Sequence, residues 1–250
     1  LLLIVDVYWL LRIYKWKNST KLELQQWFDV MAEFDALNSL AGFAYAHPTY
    51  SYPDPTGQPF SIVTTAMGHP LLSATKRVNN NFIFNGRGGI CLITGSNMSG
   101  KSTFLRTLGV NIVLAQAGAP VCAESMNFGL VQVFTSMRTK DELEENVSSF
   151  YAELKRLKKL LNSIDEEHPT LFMIDEVLKG TNSEDRHKGA ISLIKQLNQS
   201  NAFGLVSTHD LVLGSLANQL DGVKNYSFNS NIEGDEIIFD YTLTEGVCKS

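Results

Sequence analysis

The sequence has no excess of positive charge, few cysteines and no apolar run that would cross a bilayer cleanly. Lys and Arg total 21 against 26 Asp and Glu, a formal net charge of −5, so the chain as a whole is not a basic glove for nucleic acid. Any DNA contact has to come from a local patch or from regions outside these residues. The cysteines number 3 (Cys91, Cys122 and Cys248), with no CxxC pair and no His partner spacing. That excludes a disulfide scaffold and suits a reducing, cytoplasmic setting. There is no internal repeat and no low-complexity tract. The opening "LLLIVDVYWLLRIYKW" is apolar, but Asp6 and Arg12 interrupt it and it is too short to span. Its basic residues follow the apolar run instead of preceding it, which argues against a signal peptide. It reads as a helix packed against a neighbour, with a membrane-proximal segment as the alternative. The chain starts on Leu and ends in mid-pattern, so a fragment of a longer protein is expected.

What is present is ordinary globular material, 44% hydrophobic over 250 residues. From Leu22 to about Ala46, Trp27, Val30 or Met31, Phe34, Leu37 and Ala41 fall on one helical face near heptad spacing. Residues 47–60, "HPTYSYPDPTGQPF", are rich in turn formers and mark a boundary. Beyond it, apolar strand-like runs lie at Ile90–Thr94, Leu130–Ser136, Thr170–Asp175, Ala202–Ser207 and Val223–Ser230. Helix-like runs lie at 101–117, about 142–163, 184–199 and 210–219. The alternation predicts an α/β fold with a largely parallel central sheet, preceded by an α-helical segment. "NSNIEGDE" between Val223–Ser230 and Ile237–Leu243 predicts an edge hairpin. The expected domains are 1–50, helical, and 51–250, α/β.

Between an apolar run and a helix-spaced run stands Gly95-Ser96-Asn97-Met98-Ser99-Gly100-Lys101-Ser102-Thr103, a fit to G-x-x-x-x-G-K-[ST]. A Gly/Ser-rich turn would look similar, so context decides. Ile90–Thr94 reads as a buried parallel strand, and Phe104, Leu105, Leu108, Ile112 and Ala115 recur at helical spacing. Strand, glycine loop and helix are the context a phosphate-cradling loop requires. Gly95 and Gly100 let the backbone bend closely round phosphates, and amides at the helix start point toward them. Lys101 supplies charge for β- and γ-phosphates, and the Ser102 hydroxyl is placed for Mg²⁺.

Two further strand ends carry chemistry. Thr170-Leu-Phe-Met-Ile-Asp175-Glu176 is a hydrophobic strand delivering an acid to its carboxyl end, where α/β sheets bind ligands. Asp175 would hold Mg²⁺ through water or Ser102, and Glu176 would orient or deprotonate an attacking water. Alone this pattern is common; with a phosphate loop some 75 residues upstream it gains force. Leu205-Val-Ser-Thr-His209-Asp210 ends a third strand in hydroxyls and one imidazole, able to donate to a γ-phosphate and report its loss.

These residues resemble one family. "ITGSNMSGKSTFLRTLGVNIVLAQAGAPVCA", with Asn97-Met98 inside the loop, is similar to the ATPase domain of the MutS family of DNA mismatch-repair clamps. "NVSSFYAELKRL", "IDEVLKGTNSEDR", "STHD" and "GHPLL" resemble further segments of that family, and the resemblance covers roughly residues 60–250. It implies an ABC-type P-loop ATPase using ATP and Mg²⁺, with two protomers sandwiching nucleotide in a homodimer. By matching position, Ser148 would approach the γ-phosphate held by the opposite protomer, with Ser149 beside it. Either serine could instead simply cap the helix beginning there. Asn97 would position phosphates or water, and Gly180, Thr181 and Asn182 would cross the dimer interface. Val78 or Arg77 would meet adenine. Partners implied are mismatched duplex DNA, gripped through regions outside this chain, and downstream repair proteins.

The departures are equally specific. No mismatch-reading Phe-x-Glu wedge occurs in these residues, and the family's dimerising helices do not follow before Ser250. A MutS-like ATPase switch without mismatch recognition, recombination-related or membrane-associated, is therefore the second hypothesis. A transporter motor is disfavoured, because "NVSSF" stands where an "LSGGQ"-like signature would.

Overall fold

The computed structural model describes residues 2–137, 149–178, 182–233 and 236–248. Those residues form two compact units, Leu1–Pro48 and Thr49–Ser250. The first is a single helix, α1 (Leu2–Ala46). The expected helix from Leu22 thus extends through the apolar opening, because no Gly or Pro interrupts residues 2–41. In the opening, Trp9, Leu10, Ile13 and Trp16 are exposed. So are Trp27, Phe34 and Leu37 of the anticipated heptad face. Apolar side chains occur all round α1, not along one stripe. Among the described residues no helix is long and apolar enough to cross a membrane.

The second unit holds two sheets. The chain order after α1 is β1 (Asp54–Pro55), β2 (Ser61–Met67), β3 (Asn80–Asn85), β4 (Ile90–Gly95), α2 (Lys101–Gln116), β5 (Ser125–Phe128) and β6 (Gln132–Ser136). There follow α3 (Ser149–Ser163), β7 (Thr170–Asp175), α4 (Ser183–Asn198), β8 (Ala202–Thr208), a 3-10 helix (Leu211–Asn218), β9 (Val223–Glu233) and β10 (Glu236–Glu245). The larger sheet runs β10-β9-β4-β8-β7-β6, parallel throughout except for the antiparallel β9–β10 edge hairpin. The fold is a mixed α/β arrangement with a largely parallel sheet.

Strand parity explains its burial. Cys91, Ile93, Leu171, Met173, Phe203 and Leu205 face one core, with Phe104, Leu105, Leu108 and Ile112 of α2. Ile90, Leu92, Phe172, Ile174 and Val206 face the other, with Leu157 and Leu160 of α3 and Ile194 and Leu197 of α4. A strand covered on both faces reads as a continuous apolar run, which is why these strands are visible in sequence. Gly204 is required by that packing, since a β-carbon there would stand 2.7 Å from the Phe172 ring and 2.0 Å from its carbonyl oxygen.

The smaller sheet, ordered β1-β5-β2-β3, departs from expectation, which placed no strand between 61 and 85. In "NNFIFN" Asn80, Phe82 and Phe84 point inward, so only two apolar residues mark a short alternation and there is no apolar run. Phe84 stacks on Phe203 of β8 at 5.4 Å, and Phe82 meets Phe104 of α2 edge-on at 5.3 Å, joining this sheet to the first core. Two smaller differences concern segments read as a helix and a strand. Within 210–219, Leu211–Asn218 wind as a 3-10 helix, opened by Asp210 accepting from Val212 N, and Leu130 lies exposed before β6 begins.

Asn111 fixes the smaller sheet's edge to α2. Fully buried, it donates to Gly68 O (3.0 Å) and Thr107 O (2.8 Å) and accepts from Cys122 N (2.8 Å). Asn111→Ala leaves buried groups unpaired at about 1–3 kcal/mol each, so a loss of about 2–4 kcal/mol is expected in urea unfolding. A loss under about 0.5 kcal/mol, within ordinary surface variation, would show the tie to be dispensable.

A pH signature sits in the same core. Burial, with Cys91 and Glu245 adding to it, pushes the Tyr226 hydroxyl up to about 12. A raised folded value contributes stability that is complete below the unfolded value near 10 and is lost as pH climbs to 12. Tyr226→Phe is therefore expected to gain about 1–2 kcal/mol relative to wild type between pH 9 and 12. A constant difference across that range would count against the shift.

Candidate functional site

Strands β4, β8 and β7 run parallel, with Thr94 beside Thr208 and Ser207 beside Asp175. Their carboxyl ends therefore deliver the glycine loop, His209 and the acidic pair to one edge of the sheet. β8 stands between the loop strand and the acid strand.

The loop conformation is set by residues with positive φ. Gly95 (φ 151°) and Gly100 (φ 108°) flank Met98 (φ 67°), whose side chain is exposed. A β-carbon at Gly95 would stand 2.7 Å from both Phe228 O and Ser99 Oγ, so only glycine fits. α2 starts directly after Gly100 without a side-chain cap, leaving the helix's first amides to whatever occupies the loop. Lys101 is 5% exposed, and its Nζ donates to Gly95 O (2.8 Å) and Ser96 O (2.7 Å). A buried ammonium thus rests on loop carbonyls. Ser99 Oγ is buried with no hydrogen-bond partner, an orphaned hydroxyl inside the same loop.

The acidic pair is held from β8. Ser207 Oγ, fully buried, donates to Asp175 Oδ1 (2.6 Å) and accepts from Glu176 N (3.0 Å). Glu176 (φ 60°) and Leu178 (φ 55°) are both left-handed, a conformation costing about 1–3 kcal/mol each for side chains of this kind. Glu176 Oε1 meets His209 Nε2 at 2.5 Å, and His209 Nδ1 lies 3.2 Å from Gly95 O. Both partners are acceptors, so an imidazole donating to both carries two protons and a positive charge. The chain Glu176–His209–Gly95 O–Lys101 links the acid strand to the loop.

A cleft of about 430 Å³ opens on this edge. It is lined by Asn97, Met98, Ser99, Gly100, Lys101, Ser102, Thr103, Val78 and Glu176. Its far wall comes from residues the sequence did not single out for the site, chiefly His69, Lys76, Asn80 and Tyr241. His69 stood inside the quoted "GHPLL", but nothing in that string showed its position. Burial, with Arg106 adding to it, holds His69 below the usual imidazole range, and its Nδ1 accepts from Leu71 N at 3.2 Å. Tyr241 (φ 53°) sits where the β9–β10 register shifts. Asn80 holds it there, donating to Tyr241 O (3.1 Å) and accepting from Leu243 N (2.7 Å).

Not every expected residue faces that cleft. Asp175 lies behind Glu176, on Ser207. His209 lines an adjoining hollow of about 350 Å³ on the other side of Glu176, with Ser183, Arg186 and Asp210. Gly95 and Ser96 take part through their carbonyls under Lys101. Arg77 turns away from the cleft, its Nη1 donating to Tyr50 Oη at 3.3 Å and its guanidinium 5.8 Å from that ring. Asn182 caps α4, accepting from Asp185 N. Ser148, Gly180 and Thr181 lie outside the described residues, as does the side chain of Ser149. Among the described residues no cluster of three or more His, Cys, Asp or Glu could hold a metal by itself. The hard oxygen donors on offer, the Ser102 hydroxyl and the Asp175 carboxylate, suit Mg²⁺ shared with phosphates.

The chain is similar in sequence to known proteins. Residues 91–250 match the family model "MutS domain V". The chain is 33% identical over 221 residues to MutS protein homolog 4 of Mus musculus, covering 84% of this chain and 23% of that protein. It is 32% identical over 224 residues to the DNA mismatch repair protein MutS of Chlorobium phaeobacteroides, covering 87% and 25%. It is 35% identical over 226 residues to the DNA mismatch repair protein MutS of Symbiobacterium thermophilum, covering 86% and 25%. The chain spans about a quarter of the length of these relatives.

The Ser207 hydroxyl ties two acidic residues at once. Ser207→Ala removes the buried hydroxyl shared by Asp175 Oδ1 and Glu176 N, so a loss of about 1–3 kcal/mol is expected in urea unfolding, with Ser207→Thr restoring most of it. A loss under about 0.5 kcal/mol in Ser207→Ala would show that the two acids are positioned by something else.

Proposed function

Since the chain belongs to the MutS family, we propose that it is the ATP-binding and ATP-hydrolysing part of a DNA mismatch-repair protein, an ABC-type P-loop ATPase coupled to clamping of mismatched duplex DNA. The observation that carries the reading is the convergence of Lys101, Glu176 and His209 on the Gly95 turn beside a cleft of about 430 Å³. Triphosphate would lie along residues 95–103, with Val78 and Tyr241 toward the base. Ser102 and Asp175 would hold Mg²⁺, which would supply positive charge against the charge developing on the phosphates.

The protein's own groups then do three things. Lys101 exchanges the carbonyls of Gly95 and Ser96 for phosphate oxygens, a better match for a buried cation. Glu176, freed from His209, orients the attacking water, and His209 turns its N–H toward the γ-phosphate. Phosphoryl transfer asks mainly for such positioning and charge stabilisation. Ser148, supplied by a second copy across a homodimer, would complete the site, so that hydrolysis waits on closure of two protomers.

The relatives' names divide between DNA mismatch repair protein MutS and MutS protein homolog 4. An ATPase switch that does not read mismatches, suggested by the lack of a Phe-x-Glu wedge in these residues, is the second reading. The two separate in one assay of the full-length protein: ATP hydrolysis with no DNA, with homoduplex and with a single-mismatch duplex. A response specific to the mismatch is expected, whereas turnover indifferent to DNA would discard mismatch coupling and leave the switch. Lys101→Ala is expected to weaken ATP binding by about 10- to 100-fold, the value of a charge-assisted hydrogen bond to phosphate. Unchanged affinity would overturn the phosphate-loop assignment itself.

A further inference from the structure

The turn that aims Glu176 is held at both ends. Glu176 N is fixed by Ser207 of β8, through the hydroxyl at 3.0 Å and the carbonyl at 3.2 Å. Two residues on, Leu178 N donates to Glu153 Oε1 of α3 at 2.5 Å, across 25 residues of sequence. Glu153 stands one turn before Leu157, which with Leu160 is buried against Val177, Leu178 and Leu193. The carboxylate is therefore carried by the anchored face of its helix. From below, the Leu178 side chain rests on α4, where a β-carbon at Gly189 would stand 2.5 Å from Leu178 Cδ1. Both Glu176 and Leu178 are in the left-handed region, which a non-glycine residue keeps only where its surroundings over-determine it.

We propose that Glu153 is a positioning residue for ATP hydrolysis: it holds the Leu178 amide so that the turn at 176–178 points the Glu176 carboxylate into the cleft. This rests on the reading of Glu176 as the water-orienting group. Glu153 lies outside the residues that line the cleft, so it acts through the backbone and not on the nucleotide. The bond makes α3 and the acidic turn move together, and a displacement of α3 would reach Glu176 through it. What the role demands of residue 153 is an acceptor oxygen at that distance, not a negative charge. Glutamine supplies one; alanine does not.

The test measures steady-state ATP turnover, nucleotide affinity and the Leu178 amide proton resonance in wild type, Glu153→Ala, Glu153→Gln and Glu176→Gln. Glu153→Ala is expected to lose about 10- to 100-fold in turnover, the effect of a misplaced reacting group, with nucleotide affinity within about threefold of wild type. Its Leu178 amide should move upfield as the hydrogen bond to carboxylate is lost, and Glu153→Gln should keep turnover within about threefold. Turnover in Glu153→Ala within about twofold of wild type, beside an inactive Glu176→Gln, would overturn the role of Glu153 while sparing Glu176. Nucleotide affinity falling in step with turnover, or Glu153→Gln failing as badly as Glu153→Ala, would also overturn it. Full activity in Glu176→Gln would remove the reading on which the inference stands. Should Glu153→Ala not fold, Glu153→Gln still decides: an active protein with an unmoved Leu178 resonance supports the acceptor role, and an inactive folded one refutes it.

Discussion

The Gly95 carbonyl receives two donors that belong to different parts of the site. Lys101 reaches it from the first turn of α2, and His209 from the end of β8, which also carries the imidazole to Glu176. Burial of an ammonium is tolerable only with such partners, because an unpaired buried charge costs several kcal/mol. The carbonyl can face both because Gly95 has φ 151° and no side chain, in a place where a β-carbon would strike Phe228 O. The loop's curvature, the lysine's position and the histidine's orientation thus depend on one residue lacking a Cβ. This arrangement is poised for exchange. Phosphate oxygens offer Lys101 stronger acceptors than carbonyls do, and an anion at the start of α2 is further favoured by the open amides there.

The cleft's other wall depends on polar ties and not on the parallel sheet. Asn111 joins α2 to Gly68 and Cys122, and Asn80 joins β3 to the irregular stretch of β10 around Tyr241. Both asparagines are buried, and each satisfies donors and acceptors that would otherwise be orphaned. His69 follows Gly68 directly, and Tyr241 is the residue whose carbonyl Asn80 holds. The far side of the cleft is therefore fixed by the same two side chains that attach the smaller sheet. Stability of that sheet and shape of the cleft are coupled for this reason.

What the sequence reveals follows from how each element is buried. β4, β7 and β8 are covered on both faces, so they appear as unbroken apolar runs, and their polar ends stand out against them. The glycine loop at 95–100 is legible because backbone geometry there imposes glycines at fixed spacing. β2 and β3 bury one face only, and "SIVTTAM" and "NNFIFN" carry an alternation too short to separate from loop. The 3-10 winding of Leu211–Asn218 has a helical pattern and only its closure differs, which periodicity does not register. Ser207 and Glu153 were invisible as site residues for another reason. One gains its role from register with Asp175, the other from a contact spanning 25 residues, and neither leaves a local signature. Tyr241 likewise enters the cleft because of a register shift in β10 that no local pattern announces.

The strain at 176–178 bears on how such a site is controlled. Two left-handed residues within three positions cost about 2–6 kcal/mol together. Ser207, Glu153 and the Leu178 seat on α4 come from three different elements, and each supplies part of what offsets that cost. A turn held in this way has few intermediate positions: weakening one tie leaves the others opposing a strained backbone. Glu176 therefore has a defined place while all three elements are seated, and loses it when one shifts. The same carboxylate is paired with His209 across the site. Its availability thus depends on β8, α3 and α4 together, which makes the position of Glu176 a readout of how the whole edge of the sheet is assembled.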